Sequence, residues 1–383
     1  YKLLEKLTLL SLTIPPENAE KVVYPQVPRD TSASSSVNFS IIPSVRTRVE
    51  MECTYPRNGY KNNETILPLV SDKMSTEVTI LLDARINSYL FLQGIPYSSI
   101  SSNYVGYQDQ GGDTKYRFSV FTDDEHVEQV IEGFSKMFST TRKNGVPLEE
   151  IKAAESIFYE VFRSYSNKSG KESYTKLCLN AFLYNASLSS MQTRYDYLIQ
   201  RPLKDSLHVR LFNRYLTQLY RRPSMSVKVY TGRTDLDKDS LATRFLEAWE
   251  EVDTSYVALR LPDIKIAEPS KRKVLTPYSS KQSSIPCSKY IFSNGLTVYY
   301  KKLSSAKDFT YKYYFPDALS SAADIVNKEG AFFSDLFFCR DDEFTENDYS
   351  VYLARHGITM VPRVTLREFS LSGVVAKKQL DTL

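Results

Sequence analysis

The sequence predicts an α+β fold of two modules, each a mixed or antiparallel sheet with helices packed on it. Three observations predict it. Short runs alternate apolar and polar residues; longer stretches repeat apolar residues every three to four positions; a Pro- and Ser-rich segment divides these elements into two sets.

In chain order, residues 1–10 read as the end of a helix already under way, and 1–28, with its Pro-rich exit, as the tail of an upstream domain. Residues 37–55 carry β-branched residues in short alternation and predict strands. A long helix is expected over 65–92, with Ile66, Leu69, Val70, Met74, Val78, Leu81 and Leu82 at helical spacing. A strand follows at 116–121, and Thr122-x-x-Glu125 has the pattern of a capping box. The helix it introduces puts Val127, Val130, Ile131, Phe134 and Phe138 on one face. The next helix, after Pro147, does the same with Ile151, Ala154, Phe158, Val161, Phe162 and Tyr165. Further helices fill 172–220 with a break expected at Arg201, before Pro202. A strand at 226–230 and a helix carrying Leu241, Phe245, Trp249 and Val252 close the first module, which spans 29–260.

Residues 261–288 hold Pro262, Pro269, Pro277 and Pro286 with little apolar periodicity, and read as an interdomain linker. The second module, 289–383, opens with two alternating runs, Leu296/Val298/Tyr300 and Phe309/Tyr311/Tyr313/Phe315, expected to pair as a hairpin. Asn294-Gly295 stands ahead of the first as a turn signal. Helices near 320–338 and over 346–356, the latter stopped by Gly357, precede strands at 358–364 and 367–375. Residues 376–383 read as a helix just beginning. Both ends of the chain have the look of cuts, so the second module is expected to be incomplete.

Composition narrows the function classes. With 28 Tyr and 20 Phe against one Trp, the chain has the means for broad amphipathic contact surfaces and is expected to fold. Its 49 basic and 45 acidic residues are mixed along the sequence, so nucleic acid is not an expected partner, and Lys271-Arg272-Lys273 reads as solvated linker. Cys53, Cys178, Cys287 and Cys339 are far apart and form neither a disulfide framework nor a zinc ribbon. No apolar run reaches the roughly 18 residues of a spanning helix. The sequons at Asn38, Asn63, Asn167 and Asn185 are those of an Asn- and Ser-rich chain.

Three histidines leave little room for catalysis. His126 lies in Asp123-Asp124-Glu125-His126-Val127-Glu128, where acidic residues suit the first turn of a helix. His208 stands alone in a helix and is expected to be partly buried; His356 precedes Gly357 at a helix end, where it serves as a cap. Gly111-Gly112 between Asp109 and Asp113 reads as a polar loop, and Arg221-Arg222 as the cationic last turn of a helix. H-E-x-x-H, H-x-x-E-H, G-x-S-x-G and phosphate-loop motifs are all absent from the sequence. No catalytic and no metal-ligating residue is assigned, and substrate-binding residues stay unassigned.

Ile291-Phe-Ser-Asn-Gly-Leu-Thr-Val-Tyr-Tyr-Lys301 resembles the L-x-N-G-L-x-V strand that opens each half of the pitrilysin/insulinase-type zinc metallopeptidases. An aromatic strand with Tyr313-Tyr314-Phe315-Pro316, two helices and the closing strands extend the match, and residues 28–232 are similar in order and spacing to the family's second domain. The resemblance implies a clamshell of four α+β domains whose halves enclose peptide or unfolded-protein substrates. The family's zinc sits in an H-x-x-E-H site in the first domain, with a Glu farther downstream. This chain carries neither. It is therefore expected to be a non-catalytic inner portion, with zinc and hydrolysis belonging to the parent protein and the catalytic domain as its partner. The alternative is a non-catalytic family member acting as scaffold or partner of an active protease. A periplasmic or other exported location is expected over a cytoplasmic one.

Overall fold

Period-two alternation decides how the first sheet faces. The strands are β1 (Asn38–Pro43), β2 (Arg48–Tyr55), β3 (Ser99–Val105), β4 (Thr114–Phe121) and β5 (Met225–Thr231). They lie in the order β1-β5-β2-β4-β3, β1 running parallel to β5 and every other pair antiparallel. Register puts like beside like: Val49 is opposite Val120 and Val229, Met51 opposite Phe118 and Val227, Cys53 opposite Tyr116 and Met225. All nine are buried. The residues between them, Arg48, Glu50 and Glu52, point to the other face.

The computed structural model describes residues 37–55, 67–105, 114–166, 171–184, 188–189, 191–200, 202–219, 225–251, 258–265, 274–280, 287–303, 308–316, 343–365 and 368–376. Among them, helices α1 (Leu67–Leu92), α2 (Val127–Asn144), α3 (Leu148–Ser166), α4 (Lys171–Tyr184), α5 (Met191–Gln200), α6 (Asp205–Leu219) and α7 (Lys238–Glu250) belong to the first module. Val78, Leu81 and Leu82 of α1, Ile131 and Phe138 of α2, Phe212 of α6 and Phe245 and Trp249 of α7 form one core with the apolar side of the sheet. Burial of each such side chain contributes about 1.5–3 kcal/mol. Buried Ser139 of α2 donates to the Trp249 carbonyl (2.5 Å), and the Lys143 ammonium reaches the same oxygen at 3.2 Å. Two donors from one helix thus serve a carbonyl that the end of another leaves without a helical partner.

The fold is α+β, as expected, with several local corrections. The capping box at Thr122 and Glu125 does not form: α2 starts at Val127, Thr122 donates to the Pro96 carbonyl (2.7 Å), and Asp123 Oδ1 accepts the backbone N–H groups of Glu125 and His126. The shorter Asp side chain closes the turn one residue later. Strand β3 carries no clear apolar alternation, because Ser99, Ser101, Ser102 and Asn103 occupy it.

Residues 261–376 show the larger difference. The segment read as linker contains strand β6 (Val274–Ser280), which pairs with β7 (Cys287–Phe292), and β7 pairs with β8 (Thr297–Tyr300). Asn294-Gly295 therefore turns β7 into β8, with Gly295 at φ +85° and its N–H on the Phe292 carbonyl. The two alternating runs do not pair with each other. β9 (Asp308–Pro316) joins β11 (Glu368–Ala376) and β10 (Val361–Val364) in a separate sheet, order β10-β11-β9. The expected helix at 320–338, the tail 1–28 and the start of a helix at 377–383 lie outside the described residues.

Helix α8 (Glu346–Arg355) carries its own capping box, Thr345 with Asp348, and ends at His356 and Gly357 as expected. Its Val351 is buried in the first module's core, and Asn347 donates to Ser88 Oγ and the Ala258 carbonyl. Arg260 grips Asp348 through two parallel bonds, 2.7 and 2.8 Å. Thus α8 docks on the first module.

Candidate functional site

A charged cluster lies between α1, α3 and α6. Lys73 and Glu77, four residues apart on α1, project from a face otherwise made of Leu69, Met74, Val78 and Leu81; Glu155 does the same on α3 beside Ala154 and Phe158, and His208 comes from α6. All four are buried. Lys73 Nζ stands 2.5 Å from Glu155 Oε1 and 3.5 Å from Glu77 Oε1, and His208 Nε2 is 2.8 Å from Glu77 Oε2. The Tyr159 hydroxyl donates to Glu155 Oε1 (2.7 Å), and Lys152 Nζ approaches Oε2 (3.1 Å).

Burial pushes the Glu155 carboxyl up, but the Lys73 ammonium, by charge and hydrogen bond, with Tyr159 and His208, outweighs it and holds the group down at about 2. Burial, then the Glu155 carboxylate, drives the Tyr159 phenol upward. Both groups are thereby fixed in one protonation state at neutral pH. The cluster binds three helices together by charge.

A second buried pair lies on the same helices. Arg85 meets Glu150 through Nε (3.0 Å) and Nη2 (2.5 Å) and reaches Thr141 Oγ1 (2.9 Å), while Glu150 Oε1 also accepts the Ala258 N–H (3.2 Å). The planar guanidinium suits this double contact.

The other face of the five-stranded sheet carries the same chemistry, with half-exposed cations over largely covered carboxylates. Arg48, Lys115, Arg117 and Lys228, each 31–49% exposed, surround Glu50 and Glu52. Arg117 reaches Glu50 (3.2 Å) and Glu52 (3.0 Å), and Arg48 lies over the Tyr230 ring at 3.9 Å. Burial raises the Glu52 carboxyl, and Arg117, Lys115 and Lys228 more than compensate, so it stays below its ordinary range. Among the described residues four cations face two carboxylates, an excess of positive charge on this floor.

The histidines do not converge. His126 sits at the start of α2 with Nδ1 2.5 Å from Asp123 Oδ1; His356 caps α8. Neighbouring Asp124 receives Thr47 and Thr231, joining the start of α2 to β2 and β5 rather than to a metal. His208, expected to be partly buried, is fully buried, because α6 turns it inward against two carboxylates from helices far away in sequence. Charged residues inside the apolar stripes of α1 and α3 were the available signal. The Gly111-Gly112 and Arg221-Arg222 segments lie outside the described residues. Cys53 is buried, and burial pushes its thiol upward, which removes it as a nucleophile.

The family resemblance implies zinc, so the fit matters. Glu77, Glu155 and His208 bring one donor atom each within 4.8 Å of one another, a ligand set of the right types. Lys73 spoils it. An ammonium 2.5 Å from Glu155 Oε1 fills the space between the carboxylates, and a divalent ion there would meet a like charge at contact distance. The cluster as built does not fit zinc.

No protein-family model matches the sequence, and no curated protein matches it. Among solved structures, the chain is similar to the periplasmic protease PqqL from Escherichia coli (12% identity, TM-score 0.49, 90% of this chain and 39% of that one). It is similar also to a mutant of the ferredoxin protease FusC in complex with Arabidopsis ferredoxin (11%, 0.49, 91% and 39%) and to pitrilysin (11%, 0.47, 89% and 36%). The chain spans about two fifths of the length of these structures. At such identities and TM-scores the likeness sets no activity for this chain. No helix among the described residues is long and apolar enough to cross a membrane.

Proposed function

We propose that the chain is an internal, non-catalytic portion of a zinc-dependent endopeptidase of the pitrilysin/insulinase type, and that the sheet face without helices among the described residues helps to enclose peptide substrates. The observation that carries this reading is the two-sidedness of the first sheet: one face is sealed by helices, the other presents a charged floor of Arg48, Lys115, Arg117 and Lys228 around two carboxylates. Such a floor holds extended chains by charge and by apolar contact with Tyr230, without chemistry of its own. The sequence order around Asn294-Gly295 supports the family. In this reading, zinc and the catalytic water belong to another domain of the same protein, and that domain is the chain's partner. An exported compartment belongs to the same reading, and cell fractionation tests it.

The decisive experiment uses the full-length protein and an acidic fluorogenic peptide. Reversing charge with Arg117→Glu and Lys228→Glu together is expected to raise KM several-fold while kcat is kept. An unchanged KM would remove the wall role. If the unaltered protein cleaves no peptide at all, a scaffold or partner subunit is the better description.

A further inference from the structure

At one end of the first sheet, the register sets an arginine between two aromatic rings. Arg48, the first residue of β2, stands opposite Phe121 on β4 and Tyr230 on β5, and all three belong to the outer face. Its guanidinium carbon lies 3.9 Å from the centre of the Tyr230 ring and 5.7 Å from that of Phe121. Arg46, two residues earlier and exposed, brings a second guanidinium to the same Phe121 ring, also at 5.7 Å. Stacking occupies the flat faces of a guanidinium and leaves the N–H donors at its edge available.

Those donors have little to bind. Arg117, on the same sheet face, reaches Glu50 at 3.2 Å and Glu52 at 3.0 Å. Arg48 has a single ionic contact among the described residues, Nη2 to Glu50 Oε2 at 3.9 Å, which is too long for a hydrogen bond; its Nε is buried without a partner. Glu50 is shared with Arg117 and Lys228, so one carboxylate serves three cations. The Arg46 side chain interacts, among the described residues, with the Phe121 ring alone. Asp123 and Asp124, just beyond Phe121, are engaged by His126 and by Thr47 and Thr231. Two guanidinium groups are thus held against one ring with no carboxylate of their own.

We propose that Arg46 and Arg48, held by Phe121 and Tyr230, anchor a carboxylate of the enclosed peptide, either its C-terminal group or an acidic side chain. A planar carboxylate matches the edge of a guanidinium through two parallel hydrogen bonds. Arg48 is 34% exposed, so its outer nitrogens can be reached, and Arg117 and Lys228 offset the Glu50 charge that would oppose an incoming anion. The inference rests on the reading of this sheet face as a peptide wall, and adds to it the chemical group that the wall selects.

The test is direct binding to the full chain, followed by fluorescence anisotropy, with four short peptides that carry a neutral dye at the N-terminus. One has neutral side chains and a free C-terminal carboxylate; the second is its amide; the third and fourth are amides with a single central Glu or Gln. Wild type is expected to bind at least one carboxylate peptide about five- to tenfold more tightly than its neutral counterpart. A preference for free acid over amide assigns the C-terminal group, and one for Glu over Gln assigns the side chain. The double variant Arg46→Met/Arg48→Met is expected to lose the preference. Arg244→Met, which removes a cation from helix α7 instead, is expected to keep it. Equal binding of all four peptides to wild type would overturn the anchor and leave the wall reading standing, whereas no binding by any of them would remove both. A preference that survives in the double variant, or disappears equally in Arg244→Met, would also overturn the anchor. If the double variant does not fold, Arg48→Lys decides: it keeps the charge without the planar fork and is expected to lose at least half of the preference, and full retention would overturn the proposal.

Discussion

The helical layer of the first module and the outer face of its sheet carry similar ionic groups in different surroundings. Between the helices, Lys73, Glu77, Glu155 and His208, with Arg85 and Glu150, are shut away from water; on the outer face of the sheet, half-exposed Arg48, Arg117 and Lys228 lie over Glu50, itself buried, and Glu52 on the central strand β2. A buried ion pair cannot lose one member cheaply, because water does not replace it. An exposed pair can, since solvent and salt screen what remains. Similar distances therefore carry different energies: the buried charges hold helices in place, and the half-exposed cations of the sheet face contribute little to stability.

The sharpest way to break this contrast is Arg85→Met. It strands Glu150 among apolar groups and is expected to destabilise the fold by about 3–5 kcal/mol, read as a lower urea midpoint at unchanged slope. A small change would mean that water reaches Glu150 and that the inner face is not dry. Acid provides the next test. Because the Glu155 carboxyl is held at about 2 against an ordinary 4.5, its contribution is present in full above 4.5 and is lost as pH falls toward 2. Urea midpoints across that window should fall more steeply for wild type than for Glu155→Gln; parallel curves would remove Glu155 from the account. The smallest effect belongs to the outer face. Arg117→Ala is expected to cost less than about 1 kcal/mol, an effect that shrinks further in high salt. A larger loss would make the floor part of the structural frame.

Much of the frame was legible in the sequence. Helices α1, α2, α3 and α7 and strands β2, β4 and β5 follow from apolar periodicity, since one buried face per element leaves a mark at spacing 3.6 or 2. Strand β3 left none, for its Ser and Asn residues suit a strand half in water. Pairing was also illegible around β8 and β9: an alternating run states that it is a strand without naming its neighbour, and β9 found β11 some sixty residues later. Buried His208 failed to announce itself for the same reason. Its partner Glu77 is 131 residues away and Glu155 belongs to a third helix, so that only the oddity of charges within apolar stripes hinted at the cluster.

Asp348 does two things with one carboxylate. Its Oδ2 accepts the Thr345 N–H (2.8 Å) and hydroxyl (2.9 Å) that start α8, and also the Arg260 Nη2 (2.8 Å) that ties α8 to the first module. Burial raises this carboxyl, and Arg260 with Thr345 more than offsets it, so it stays charged for both tasks. The beginning of the helix and its attachment are thus a single event. Loss of the one carboxylate would therefore take from α8 its first-turn cap and its anchor at the same stroke.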